Sequence, residues 1–387
     1  MAMISTLVVG GGIGGLSLAR ELAIRQLPVT VLEKAPQLNP VGAGIIMNPN
    51  AMRVLERNGL AGALRANAWP YLTRETCDHR GRLLAIRDYR PLYETGKLAT
   101  GALVHRAHLL DVLYRGVPRE AVHFGVTLKK IDLLPDRVRV ETDRGAIFEA
   151  DLLVGADGIH SQVRRQVFGE IRPLYMGYRS HRLVADNIAG NLHFTEFMGH
   201  GQRIGLVPLS ETKVYVWTTF NSPYDRPPAL GSAEDFTELF EQFTDERVRR
   251  VFAQVQSADG IISTEIEEVR LDQWGQGRVV LLGDAIHAMT PNIGQGAGMA
   301  MEDAAVLAEE LESARRGAQA VEHALESYVR RRKPRVESVM RISREVGDEG
   351  QQSNPIACWL RNRRIHRAGR NLEQALADLE RLLAYPG

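Results

Sequence analysis

The 387-residue chain has only two cysteines, Cys77 and Cys358. That excludes a disulfide framework and any multi-thiolate zinc spacing, so no metal centre is expected and a reducing, cytoplasmic setting is. An excess of one charge is also lacking. Lys and Arg number 48 against 47 Asp and Glu, a net of +1. A nucleic-acid partner, which needs a broad basic excess, is therefore not expected. No apolar run is long enough to span a bilayer. The N-terminus lacks a basic leader followed by an unbroken apolar core, because glycines interrupt it, and no signal peptide is read. Repeats and low-complexity stretches are missing too. What remains is a soluble globular balance, 44% hydrophobic, with length enough for a large core and two intimately joined domains.

What is there begins at the first strand. Leu7-Val8-Val9 runs into Gly10-Gly11-Gly12-Ile13-Gly14-Gly15-Leu16, a short apolar strand, a glycine cluster and the start of a helical pattern. The spacing is Gly10-x-Gly12-x-x-Gly15. Gly10 permits the tight turn, Gly12 lets backbone approach a pyrophosphate, and Gly15 lets helix and strand pack closely. N–H groups at the helix start, around Ile13 and Gly14, would face the phosphates. Val29 to Leu32 reads as the next parallel strand, ended by Glu33 and Lys34. Glu33 lies about 20 residues past the glycines, where a ribose hydroxyl is usually held. Together these features predict a dinucleotide site.

Along the chain, the opening βαβ unit is followed by a glycine-containing loop over 40–45 and a helix from Asn50 to Asn58. Cys77 to Asp88 reads as a hairpin turning at His79-Arg80-Gly81. His105-Arg106-Ala107-His108 opens another helix. Strands at Val138 to Thr142 and Ala146 to Glu149 flank a turn at Asp143-Arg144-Gly145, and Leu152 to Val154 is a buried strand. From about Arg172 to Val269 the pattern is mostly β, with helices at Ser232 to Phe243 and Glu246 to Val255. Arg278 to Leu282 returns to a buried strand and Gly298 to Leu311 to a helix. Leu325 to Val346 is helical but for Pro334, and Asn354 to Leu383 closes the chain as a helical element.

Two further motifs end buried strands in an acid. Gly155-Ala156-Asp157-Gly158 precedes a helix from Ser161, and Asp157 reads either as an N-cap or as a ligand-site residue. Leu282-Gly283-Asp284-Ala285-Ile286-His287 continues through Thr290-Pro291 to Gly294-Gln295-Gly296-Ala297-Gly298 and a long helix. His287 reads as a hydrogen-bonded turn residue.

These three motifs together resemble the FAD-dependent monooxygenase family that includes p-hydroxybenzoate and salicylate hydroxylases, over roughly Leu7 to Leu360. The resemblance implies an α/β fold: a Rossmann-type FAD-binding domain (1–70, 101–172 and 271–346), an inserted mostly-β substrate domain (71–100 and 173–270) and C-terminal helices (347–387). It implies non-covalent FAD contacted by Gly10, Gly12, Ile13, Gly14, Gly15, Glu33 and Lys34, with Glu33 on the adenosine ribose. Arg106 would reach the FAD, Asp157 would lie near the pyrophosphate, and Asp284 would bind the ribityl chain. Pro291 and the amides around Gly294, Gly296, Ala297 and Gly298 would face the flavin pyrimidine edge, where helix N-terminal N–H groups stabilise the reduced flavin's charge. The implied chemistry is reduction by a transient NAD(P)H, reaction with O2 to a flavin C4a-hydroperoxide, and hydroxylation of a small aromatic substrate. No second GxGxxG is present, and the family needs none. A monomer or homodimer is expected.

For the substrate side, Arg203, Tyr215, His181 and His193 are the catalytic candidates, with Arg182 and Trp217 beside them. Tyr215 and Trp217 share a strand face. His181 and His193 have the pKa range to activate a phenol. Relatives that oxidise urate carry Asp in the Thr-Pro-x-Ile-Gly-Gln-Gly stretch, whereas this chain has Asn292, which cannot accept a proton at neutral pH; urate is therefore discounted. Reduction or epoxidation of a non-aromatic compound, or a non-catalytic FAD-binding role, stay open. The tail, Asn354 to Arg361, resembles relatives near salicylate hydroxylase. Its arginines (361, 363, 364, 367 and 370) belong either to a membrane-surface helix or to a solvated face on a helix closing over the FAD domain.

Overall fold

A computed structural model describes residues 4–38, 43–228, 230–315 and 321–385. Its first layer is a six-stranded sheet in the order Gly275–Gln276, Val279–Leu281, Leu152–Gly155, Thr6–Val9, Val29–Glu33, Val122–Phe124. All pairs are parallel except the first. The central strands are buried throughout, as continuous apolar runs covered on both faces must be. The helix Ile13–Ile24 packs against the later helix Gly296–Ser313. The strand order matters most for function. Leu152–Gly155 lies between Thr6–Val9 and Val279–Leu281, so all three glycine-containing motifs leave the carboxyl edge of adjacent strands. That edge is where ligands bind in open α/β sheets.

The second layer is a seven-stranded sheet in the order Ile262–Glu268, Leu174–Asp186, Lys213–Asn221, Gln202–Pro208, Phe194–Met198, Thr73–Asp78, Leu83–Asp88. It is antiparallel except where Phe194–Met198 runs parallel to Thr73–Asp78. One face carries Val214, Val216, Ile204, Leu206 and Phe220, packed with Phe236, Phe240 and Phe252 from the helices Ala233–Leu239 and Glu246–Phe252. The other face looks toward the first layer.

Several elements differ from the sequence reading. The loop expected over 40–45 partly lies outside the described residues, but Gly44–Met47 is a strand, paired with Gly101–His105 in a small three-stranded sheet. The helices beginning at Ala233 and Glu246 end at Leu239 and Phe252, earlier than expected. Pro334 does not break its helix, which runs unbroken over Val321–Gly350. Proline removes one helical hydrogen bond. Burial of Tyr328, Arg332, Val336, Val339 and Met340 along one face holds the helix through that loss. The C-terminal segment is two helices, Pro355–Ala368 and Leu372–Leu383. The first does not close over the parallel sheet. It lies against the seven-stranded sheet, where Arg361 donates to the Gly199 carbonyl at 2.9 Å and His366 Nδ1 lies 3.1 Å from the Leu84 carbonyl.

Candidate functional site

Between the two layers lies a cavity of about 790 Å³. Gly10, Gly12, Ile13, Gly14, Glu33, Lys34, Arg106, Asp157, Asp284, Pro291, Gly294, Gly296 and Ala297 line it from the parallel-sheet side, and Arg182, Arg203, Tyr215 and Trp217 from the other. These seventeen residues, all singled out from the sequence, thus meet in one space, although they are spread over 288 positions, from Gly10 to Ala297.

The glycine turn is built as its spacing requires. Gly10 has φ +111°, and a Cβ there would sit 2.3 Å from the Ala156 carbonyl oxygen. A Cβ on Gly15 would lie 1.9 Å from the Gly10 carbonyl oxygen, so Gly15 serves helix–strand contact and does not line the cavity. A Cβ on Gly12 would meet nothing within 4 Å; it would project into open space at the helix start. No side chain caps that helix. No side chain caps Gly296–Ser313 either, and its first residues also line the cavity. Two helix N-termini thus present N–H groups to one space, a donor set suited to anionic groups.

The acids are held differently. Glu33 accepts from the Gly11 N–H at 2.6 Å and the Ala35 N–H at 2.8 Å, so it braces the glycine turn as well as lining the cavity. Asp157 accepts from the N–H groups of Gln162 and Val163 and from the Ser161 hydroxyl. Capping and cavity-lining roles are therefore combined in one side chain. Burial pushes its pKa up, against those hydrogen bonds. Asp284 is open to the cavity yet surrounded by protein, and its pKa is raised by desolvation against the pull of His287 and Arg106. Arg106 faces the same space, with its guanidinium pKa lowered by burial.

A buried ionic network supports the third motif. His287 Nε2 lies 2.6 Å from Asp303 Oδ2, and the same oxygen accepts from the Gly283 N–H at 3.1 Å. Arg332 bonds Asp303 at 2.7 Å and Glu302 at 2.5 Å. His287 is 2% exposed and away from the cavity; it is hydrogen-bonded as expected but ends the short helix Asp284–His287 and is not in a turn. Gly298 also turns away: its Cβ would fall 2.8 Å from Asn50 Nδ2. Sequence reasoning missed Asn50, Asp303 and Arg332, which carry no motif signal. It also missed Arg164, whose guanidinium ties the second motif to the third through the carbonyls of Ile159 at 2.6 Å and Ala285 at 2.7 Å.

On the opposite wall, Arg203 is 1% exposed. It bonds the Asn292 side-chain oxygen, pairs with Glu196 at 3.4 Å and lies 5.7 Å from the Trp217 ring centroid. Asn292 donates in turn to Tyr178 Oη and the Ser343 carbonyl, each at 2.9 Å. Tyr215 lies against Gly44, where a Cβ would come within 2.4 Å of the ring. Burial pushes its phenol up to about 12, so the hydroxyl stays protonated and can donate.

His181 and His193 do not belong to this wall. His181 pairs in register with Thr218, whereas Arg182 pairs with Trp217. Strand alternation therefore sends His181 to the far face, against Phe220 at 4.7 Å and Phe236 at 6.1 Å between ring centroids. His193 is exposed and precedes the strand Phe194–Met198. Neither ring nitrogen of His181 has a partner, and burial lowers its pKa to about 4. A depressed pKa contributes stability that is present above pH 6.5 and lost as pH falls through about 4. His181→Phe should therefore fold normally at neutral pH and lose up to about 3 kcal/mol less stability than the parent on acidification. Urea titrations at neutral and acid pH check this; equal acid sensitivity in the two proteins would show that His181 is not a buried neutral group.

Comparison with known proteins identifies the family of the chain. A family model described as FAD binding domain matches residues 3–343. The chain belongs to that family. Aurachin C monooxygenase/isomerase of Stigmatella aurantiaca is 35% identical over 93% of each chain. The 2-heptyl-3-hydroxy-4(1H)-quinolone synthase of Pseudomonas aeruginosa is 32% identical over 92% of each. The crystal structure of Klebsiella pneumoniae HpxO complexed with FAD and uric acid superposes with a TM-score of 0.88 at 26% identity, over 99% of this chain and 97% of that one. This protein is an FAD-dependent monooxygenase. The open cradle at Gly12, the two uncapped helix starts and the acids at the ends of Val29–Glu33, Leu152–Gly155 and Val279–Leu281 fit that cofactor. Among the described residues no His, Cys, Asp and Glu group could hold a metal, and no helix is long and apolar enough to cross a membrane.

Proposed function

We propose that this protein hydroxylates a small aromatic or heteroaromatic substrate, using NAD(P)H as a transient reductant and O2 as co-substrate. The observation that carries the reading is the second wall of the cavity. Trp217 and Tyr215 offer flat apolar faces, and the Arg203 and Arg182 guanidiniums flank them within the space that the FAD motifs line. The names of two relatives point the same way, since quinolone and uric acid are both nitrogen-containing rings. FAD, when bound, supplies the two-electron chemistry and oxygen activation. The N–H groups at the starts of Ile13–Ile24 and Gly296–Ser313 would hold its phosphates and its pyrimidine edge. Glu33 would reach the ribose, and Arg106, Asp157 and Asp284 would orient the remaining polar groups. The parallel-sheet region would hold the cofactor and the seven-stranded sheet would cover the substrate.

In this reading Arg203 and the protonated Tyr215 hydroxyl bind polar substituents on the ring, and Asn292 fixes the Arg203 guanidinium. Asn292 supplies no base, which separates this pocket from one that deprotonates its substrate with a carboxylate at that position. Asp284→Ala should weaken flavin binding by about 1–3 kcal/mol, with or without substrate, through loss of a carboxyl hydrogen-bond partner. Tyr215→Phe should keep its flavin and raise substrate KM, or divert NAD(P)H oxidation to peroxide. The check is flavin absorbance per protein, ligand-stimulated NAD(P)H oxidation and incorporation of labelled dioxygen into product. Reduction without oxygen incorporation would replace hydroxylation by a reductase reading. Loss of flavin from Tyr215→Phe but not from Asp284→Ala would reverse the assignment of the two walls.

A further inference from the structure

The helix Pro355–Ala368 has two faces with opposite fates. Cys358 and Arg361 are each 1% exposed, and they clamp the helix to the body: the Arg361 guanidinium bonds the carbonyls of Gly199 and Gly350. Ile356, Trp359, Leu360, Arg363, Arg364 and Arg367, at helical spacings of three and four, all point to solvent. Ile356 is 70% exposed, Trp359 55% and Leu360 52%. Isolated apolar side chains on a surface need no explanation, but three large ones on one stripe do.

Charge on the same stripe indicates what covers it. Between Gly350 and Leu372 the chain carries five arginines and no Asp or Glu, within a chain whose charges nearly cancel overall. Glu349 pairs with Arg364 at 2.5 Å. Arg363 stacks its guanidinium 4.6 Å from the Trp359 ring centroid. An apolar first turn, an indole and a run of arginines on one outward face are the composition of a helix lying in a lipid headgroup layer. There the ring and aliphatic groups sit at the acyl boundary while the guanidiniums meet phosphates.

We propose that this face docks the protein reversibly on an anionic lipid bilayer surface. Ile356, Trp359 and Leu360 enter the headgroup region, and Arg363 and Arg367 pair with lipid phosphates. The clamp at Cys358 and Arg361 keeps the stripe preformed, so no helix has to fold on binding. A self-paired second copy is disfavoured, because such pairing would bring the arginine runs together without an acidic partner on the helix.

The test uses the full-length, flavin-loaded protein in flotation with vesicles of phosphatidylcholine alone or mixed with phosphatidylglycerol. Binding should require phosphatidylglycerol and vanish at high salt. Arg363→Gln combined with Arg367→Gln should weaken vesicle affinity roughly 25-fold, about fivefold per arginine. Trp359→Ser should weaken it as well, and both variants should keep their flavin absorbance as a check of folding. Failure to float with phosphatidylglycerol vesicles at low salt would overturn the proposal. So would parent-like binding by the double arginine variant. A concentration-dependent dimer abolished by Trp359→Ser would also overturn it, by showing that a second copy covers the face.

Discussion

Gly15→Ala should strip this protein of flavin and of much of its stability. The methyl group would be placed 1.9 Å from the Gly10 carbonyl oxygen, a backbone atom that cannot swing aside. Helix Ile13–Ile24 would have to lift off the first strand by more than an ångström, breaking the contact that places its N-terminus at the cavity. Overpacking against backbone should cost about 3 kcal/mol, at the upper end of what such insertions usually cost. The informative control is Gly12→Ala, whose methyl meets nothing within 4 Å. As apoprotein it should unfold at the parent's urea midpoint, yet bind FAD far more weakly, because the methyl fills the approach to the helix N-terminus. Parent-like flavin affinity in Gly12→Ala would place the phosphates elsewhere in the cavity.

The second large effect lies away from the cavity, at Arg332. Its side chain is 1% exposed and pairs with Asp303 and Glu302, both fully buried. Asp303 is held well ionised by His287 and Arg332 against its burial. Arg332→Met would leave two buried carboxylates sharing Arg335, Asn50 and His287. Breaking such a pair from one side should destabilise the fold by about 3–5 kcal/mol. The loss should spread to flavin affinity, because Asp303 also accepts the Gly283 N–H, at a turn with φ +61° that aims Asp284 into the cavity. Denaturant titration of the apoprotein and a flavin titration measure the two effects separately. A variant that loses flavin affinity at unchanged stability would show that the network positions Asp284 without carrying the fold.

Much of the cavity's parallel-sheet wall was legible from local chemistry. A glycine turn between a buried strand and a helix is a short-range pattern, and its glycines are demanded by contacts within a few residues: Gly15 against the Gly10 carbonyl, Gly10 in a left-handed conformation. Glu33, Asp157 and Asp284 each follow an apolar strand, so their positions at strand ends could be read directly. Buried pairings with long sequence separation could not be read, since Arg332 looks like any of the arginines around it until the fold brings Asp303 and Glu302 to it. Pro334 shows the converse, a strong local signal overridden by the packing of a buried helix face.

By itself the sequence determined the strand–turn–helix start, the three acid-ended strands and the alternation that puts Tyr215 with Trp217, because each depends on neighbours within a few residues. The tertiary structure decided three things. It set the strand order that brings the three motifs to one edge. It set the register that pairs Arg182 with Trp217 and so turns His181 away. It also chose which face of the seven-stranded sheet meets the cavity. Strand alternation assigns residues to two faces without saying which one is inside; only the layer packed against the sheet does that.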